Sequence, residues 1–168
     1  MSTIDDLARD FLAQERFAVA GVSRTREDAA NTIYRALKAK GKRVYALNPQ
    51  ATEVLGDKAY PDLAALPEKP DVLVIVTKAD SAESLVQQCL AAGVQRVWMH
   101  NMLGTSPRFG KNMAQTMGSV SDSAVRLCRE NGIAVIPGSC PMQFLGDFGH
   151  SCMRVSLRLV GALHIPTA

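Results

Sequence analysis

Aromatic residues are scarce in this 168-residue chain, at 5%. No apolar stretch approaches the roughly 18 residues that a membrane-crossing helix requires, which argues against a membrane partner. Cysteine is sparse and unpatterned: Cys89, Cys128, Cys140 and Cys152 show neither CxxC pairing nor zinc-finger spacing. A secreted disulfide scaffold is thereby excluded, and no metal site is expected. Neither sign of charge dominates, because 19 Lys and Arg face 16 Asp and Glu for a net charge of +3. That surplus is too small for general nucleic-acid binding, although it leaves room for a local basic site that holds an anion. The N-terminus, Met1-Ser2-Thr3-Ile4-Asp5-Asp6, is acidic with no apolar run behind it, unlike a secretory signal, and points to the cytoplasm. What remains, 47% hydrophobic and 21% charged, is the profile of an ordinary globular protein. No repeat, low-complexity tract or linker divides the chain, so residues 1–168 read as one domain.

Hydrophobic spacing supplies the element order. Ile4, Leu7, Ala8, Phe11 and Leu12 fall on one helical stripe, and Arg16 to Val22 follows as a short buried strand. Ala30, Ile33, Tyr34 and Leu37 predict a second helix stopped by Gly41, and Val44 to Leu47 a second strand halted at Asn48-Pro49. Val72 to Val76 is apolar on both faces. Ala82, Leu85, Val86, Cys89 and Leu90 mark a helix closed by Gly93, and Val94 to Met99 is a fourth strand. Ala124 to Cys128 lie on a further helix, and Ile133 to Ile136 form a fifth strand. Strands alternating with helices predict an α/β, Rossmann-like, doubly wound and mainly parallel sheet of about five strands. Cys89 and Cys128 fall on the apolar faces of their helices and are expected to be small buried hydrophobes.

Two segments exceed that minimal unit. Residues 101–122 are long for a strand-to-helix connection, and Arg108 and Lys111 within them could close over an anionic ligand. The C-terminal extension, 137–168, carries Met153, Leu157, Val160 and His164 at spacings that predict a final helix on the core.

Ligands of open parallel sheets gather beyond the carboxyl ends of the strands, where the strand order reverses. The first loop on that edge is Gly21-Val22-Ser23-Arg24-Thr25-Arg26. Gly21 permits a close backbone approach, the following helix should offer unpaired amides, and Ser23, Thr25, Arg24 and Arg26 add hydroxyls and charge suited to a phosphate or pyrophosphate. The dinucleotide fingerprint is absent, since one glycine stands where three are needed. An NAD site also wants an acidic residue after the second strand, and this chain offers Leu47-Asn48-Pro49. Such a turn suits a ribose that carries a phosphate, as in coenzyme A with its 3′-phosphate. Thr77-Lys78 adds another hydroxyl and cation after the third strand.

In order along the chain, Phe17-Ala18-Val19-Ala20-Gly21-Val22-Ser23-Arg24, Leu37 to Gly41 and Tyr45-Ala46-Leu47-Asn48-Pro49 are followed by Leu55-Gly56 and Tyr60-Pro61-Asp62-Leu63. Val72 to Thr77, Val97-Trp98-Met99-His100 and Asn131-Gly132-Ile133 complete the series. With these segments, which span most of Phe11 to Cys140, the chain resembles the small single-domain CoA-binding proteins and the CoA-binding domain of the succinyl-CoA synthetase alpha subunit. The resemblance implies a Rossmann-like fold holding CoA or an acyl-CoA. Gly21, Val22, Ser23 and Arg24 would line the nucleotide, Asn48-Pro49 would shape the turn beneath the adenosine, and Thr77-Lys78 would flank the phosphates or the pantetheine arm. His100 replaces the glutamine often found after the tryptophan.

The same resemblance implies binding without catalysis. Synthetases of that type use a phosphorylated histidine in a second domain and a nucleotide-grasping partner subunit, and none of the three histidines here sits in a similar loop. The expected ligand is therefore a small nucleotide bound by a cytosolic module, with no catalytic residue assigned. Other readings stay open. An NADP-dependent oxidoreductase or a CoA-transfer enzyme would use Cys140, in Gly138-Ser139-Cys140-Pro141-Met142, or His100 as its active group. Asp147, His150 and Cys152 lie close together but lack ligand spacing. A homo-oligomer or protein partner would use Met102, Met113 and Met117 as an adaptable surface.

Overall fold

The computed structural model describes residues 3–102, 104, 105, 118–146 and 148–163. Arg108, Lys111, Met113, Met117, Asp147 and His164 lie outside them. In chain order the elements are α1 (Ile4–Ala13), β1 (Arg16–Ala20), α2 (Ala29–Ala39), β2 (Arg43–Leu47), β3 (Glu53–Val54), β4 (Asp57–Tyr60), β5 (Val72–Ile75), α3 (Ala82–Ala92), β6 (Arg96–Met99), α4 (Asp122–Glu130), β7 (Ala134–Pro137) and α5 (Phe148–Leu159).

All five expected strands are present, in one seven-stranded sheet ordered β3-β4-β2-β1-β5-β6-β7. Every pairing is parallel except β3 with β4. The expectation of about five strands is thus corrected by a small hairpin on the β2 edge. Its two-residue turn, Leu55-Gly56, places both residues at positive φ, 53° and 81°, the twist that joins short antiparallel strands. No long apolar run announces it, because β3 spans only two residues and β4 only four.

Alternate side chains of each central strand enter opposite cores, as the two-residue pleat requires. Phe17, Val19, Val72, Val74, Trp98 and Ile136 pack with α1 and α2 on one face. Ala18, Ala20, Leu73, Ile75, Val97 and Met99 pack with α3 and α4 on the other. Both faces are therefore covered, which is why these strands read as continuous apolar runs. Cys89 and Cys128 are fully buried in the second core, as expected, and burial pushes both thiols up, Cys128 to about 12. The final helix is also present, with Leu157 packed against the first core. Val160 departs from expectation: it lies just beyond α5 and is 58% exposed, while Ala162 and Leu163 are buried in its place. The chain turns at Gly161, where φ is +71°, and lays Ala162 against the segment after β6, its carbonyl accepting from the Thr105 N–H at 2.9 Å.

Candidate functional site

The sheet order reverses between β1 and β5, and a crevice opens beyond their carboxyl ends. The turn begins at Gly21, whose φ of +106° suits glycine. A Cβ at this position would stand 3.1 Å from the Val76 carbonyl carbon, so glycine also lets the loops after β1 and β5 touch. Backbone bonds close the seam, with the Val76 N–H donating to Ala20 at 3.0 Å and the Gly21 N–H to Leu47 at 3.3 Å.

On the α3 side of this seam lies a cleft of about 500 Å³. Gly21, Asn48, Pro49 and Thr77 line it, together with Leu47, Pro61, Leu85 and the polar side chains of Asp62, Ser84 and Gln88. On the α2 side lies a crevice of about 180 Å³, walled by Asp28, Thr77, Lys78, His100 and Ser119. Thr77 belongs to both. Its hydroxyl is 2.7 Å from that of Ser81, whose oxygen also lies 2.9 Å from the Lys78 carbonyl.

The expected residues therefore separate into walls, fasteners and exposed loop cations. Gly21, Asn48, Pro49, Thr77 and Lys78 face the two cavities. Val22 is fully buried, and its contribution to the turn is a carbonyl that accepts from Asn48 Nδ2 at 2.9 Å. Ser23 spends its oxygen on its own turn, accepting from the N–H groups of Thr25 and Arg26 at 3.2 and 3.1 Å. Arg24 and Arg26 are exposed in the loop after β1 and line neither cavity.

One expectation is narrowed. The first turn of α2 presents fewer unpaired amides than expected, because the Asp28 carboxylate accepts from the N–H groups of Ala30 and Asn31 at 3.1 and 3.3 Å. Asp28 is an N-cap, and its negative charge already complements the helix dipole. The cationic side chains on the loops after β1 and β5 are Arg24, Arg26 and Lys78.

Asn48 bears on the nucleotide class. Its Nδ2 is committed to Val22, and its Oδ1 accepts from the Gln50 N–H at 2.8 Å. Both ends of the amide are occupied internally, and no carboxylate stands at this turn for a ribose diol.

Three residues were missed. Asn31, only 1% exposed, stitches the first loop: its Oδ1 accepts from the Ser23 N–H at 2.8 Å, while Nδ2 donates to the carbonyls of Ser23 and Arg26 at 2.9 and 3.0 Å. Its signal was a polar residue beside the apolar stripe of α2. Asp62 and Gln88, on the cleft wall, come from the turn after β4 and from the middle of α3. Asp62 stood within a segment of the family resemblance, and Gln88 had no signal beyond a polar position next to Cys89.

His100 and Cys140 lie deeper. His100 is 6% exposed, its Nε2 has no partner among the described residues, and burial pushes its pKa down to about 4. The imidazole is neutral at physiological pH. Cys140 is buried, at 3% exposed. Among the described residues no cluster of His, Cys, Asp and Glu could hold a metal, and no helix is long and apolar enough to cross a membrane.

The strand order and the crevice at its reversal define a Rossmann-like α/β protein. More narrowly, residues 15–145 match the CoA binding domain family, and the chain belongs to that family. ADP-forming acetate–CoA ligase I of Archaeoglobus fulgidus is 36% identical over 72 residues, which make up 43% of this chain and 10% of the ligase. The chain thus spans a small part of that relative. A hypothetical protein from Pyrococcus horikoshii OT3 has the same fold, with a TM-score of 0.70 and 25% identity over 85% of this chain and 93% of its own. The dinucleotide-forming acetyl-coenzyme A synthetase 1 of Ca. Korarchaeum cryptofilum, in its apo form, gives a TM-score of 0.57 at 28% identity over 77% of this chain and 27% of the synthetase.

Proposed function

We propose that this chain is a cytoplasmic, non-catalytic module that binds coenzyme A or an acyl-CoA across the two cavities, in one domain formed by residues 1–168. The observation that carries the reading is the pair of cavities meeting at Thr77, at the strand-order reversal of a chain in the CoA binding domain family. The residues present suit the ligand. Pro49, Pro61 and Leu85 give the larger cleft apolar walls for a base, and Arg24, Arg26 and Lys78 supply cations for its phosphates. Asn48 offers no carboxylate that would repel a 3′-phosphate, and the smaller crevice leaves room for the thiol end of the arm. Val22 and Ser23 act by holding the loop in shape.

The enzymatic alternatives gain no support from the positions of their active groups. A reactive thiol needs exposure and a lowered pKa, whereas Cys140 is buried. Isothermal titration with CoA, NADH and NADPH tests the reading. Binding of CoA with neither nicotinamide nucleotide is expected, and binding of a nicotinamide nucleotide alone would overturn it.

A further inference from the structure

The larger cleft ends at two side chains whose hydrogen-bonding capacity is half used. Asp62 Oδ1 accepts from the Ala65 N–H at 2.9 Å. Gln88 Oε1 accepts from the N–H of Leu63, the residue after Asp62, at 3.1 Å. Neither Asp62 Oδ2 nor Gln88 Nε2 has a partner among the described residues. Both side chains are half-buried on the wall of the cleft.

The fixed halves determine what the other halves offer. Because the Leu63 N–H holds Oε1 of Gln88, the amide is not free to exchange its oxygen and nitrogen, and the NH2 group is the end that remains. Asp62 can only accept. The wall therefore presents one acceptor beside one donor, anchored by backbone N–H groups two positions apart along the same turn.

The location fits the base of a nucleotide. Asp62 follows β4, which lies beyond β2 in the sheet, so it is two strands removed from β1, whose following loop carries Arg24 and Arg26. A nucleotide with its phosphates at the seam and its ribose near the Asn48 turn would place its base at Asp62 and Gln88.

We infer that Asp62 and Gln88 read the Watson–Crick edge of adenine, a role that rests on the CoA reading given above. The adenine N6–H donates to Asp62 Oδ2, and Gln88 Nε2 donates to adenine N1. Hypoxanthine and guanine reverse both groups: their O6 would face the Asp62 carboxylate and their N1–H would face the Gln88 NH2. A buried polar edge left unpaired, or matched like with like, is how a site rejects an analogue of nearly identical shape. The pair thus selects the base while the loop cations hold phosphate indifferently.

The experiment compares CoA with its deaminated analogue, in which hypoxanthine replaces adenine, by isothermal titration against the full chain. The wild-type protein is expected to bind CoA at least tenfold more tightly than the analogue. The double substitution Asp62→Asn with Gln88→Glu exchanges acceptor for donor at the first position and donor for acceptor at the second, while keeping the oxygen that receives the Leu63 N–H, and it is expected to reverse the preference. Circular dichroism establishes that the variant is folded, and the wild-type comparison needs no variant. Equal affinity of the wild-type protein for both ligands would overturn the base-reading role and leave the CoA reading standing. Equal weakening of both ligands by the double substitution would overturn it too, since a contact to ribose gives that result. Failure of both ligands to bind the wild-type protein would overturn both readings.

Discussion

Replacing Asn31 with alanine removes a side chain that is 1% exposed and makes three hydrogen bonds to the loop after β1. The Ser23 N–H and the carbonyls of Ser23 and Arg26 all lose their partner at once. At roughly 1 kcal/mol net for each bond, the loss is about 3 kcal/mol. Water reaching the half-exposed loop would relieve part of it, and the stranded Ser23 donor would add to it. For a protein of this size, about 3 kcal/mol lowers the melting temperature by roughly 6–12 °C. The fall should be accompanied by weaker CoA binding, because the loop that carries Arg24 and Arg26 must then be ordered at the ligand's expense.

The aspartate variant separates this account from one based on side-chain size. Asn31→Asp fills the same space and keeps the acceptor for the Ser23 N–H, but it turns an oxygen toward the two carbonyls that Nδ2 now bonds at 2.9 and 3.0 Å. If the bonds matter, it is at least as destabilising as alanine at pH 7. Thermal denaturation of the three proteins gives the comparison. A shift below about 2 °C in the alanine variant, which is under 1 kcal/mol at this size, would refute the reasoning, as would an aspartate variant as stable as the wild type.

Two further outcomes are expected. Arg24→Ala should weaken CoA binding by roughly 1.5–3 kcal/mol if the guanidinium pairs with a phosphate, as charge-assisted bonds do; unchanged affinity by titration calorimetry would move the phosphate elsewhere. His100 makes stability depend on pH in a defined direction. Its pKa is about 4 in the folded chain, against an ordinary value of 6.5, so the unfolded chain takes up a proton first as pH falls through 6.5. Stability is then lost between pH 6.5 and 4, by up to roughly 3 kcal/mol, and levels off for this group below that window. Because the depressed carboxylates of Asp57, Glu68 and Asp71 lose their contributions at lower pH, a wild-type minus His100→Gln difference flat between pH 7 and 4 would refute the assignment.

The sheet was legible because its chemistry is local and repetitive. Val72 to Ile75 is buried on both faces and therefore shows as an uninterrupted apolar run. The α2 stripe of Ala30, Ile33, Tyr34 and Leu37 repeats at the helical period and is buried as expected. The β3–β4 hairpin was not legible, because Glu53, Asp57 and Lys58 occupy half of its few strand positions and its turn depends on Leu55 entering positive φ. Within the candidate site, residue types were easier to read than their duties. Ser23 was read as a donor to phosphate, and its oxygen also has a second duty, accepting two N–H groups of its own turn. Asp28 passed unremarked, although it occupies two of the amides at the start of α2. Such duties depend on partners brought together by the fold, and no spacing rule connects Ser23 with Asn31 or Asn48 with Val22.

The α2 cap changes how this site must attract its ligand. Where a helix N-terminus is open, backbone dipoles supply the field and the surrounding side chains can be neutral. Here an anion approaching α2 meets the Asp28 carboxylate, so the dipole is already answered and repulsion has been added. On the proposed CoA reading the attraction would fall to the exposed Arg24 and Arg26 and to Lys78 at the smaller crevice. Exposed cations act through screened solvent and select charge without selecting shape. Selection by shape and by hydrogen-bond pattern must then lie in the parts of the site that are fixed: the seam that Gly21 and Val76 close, the turn that Asn48 locks and the wall that Leu63 and Ala65 pin at Gln88 and Asp62. The division of labour follows from the cap, because a site that gives up the helix dipole as its anion holder has to separate charge capture from recognition.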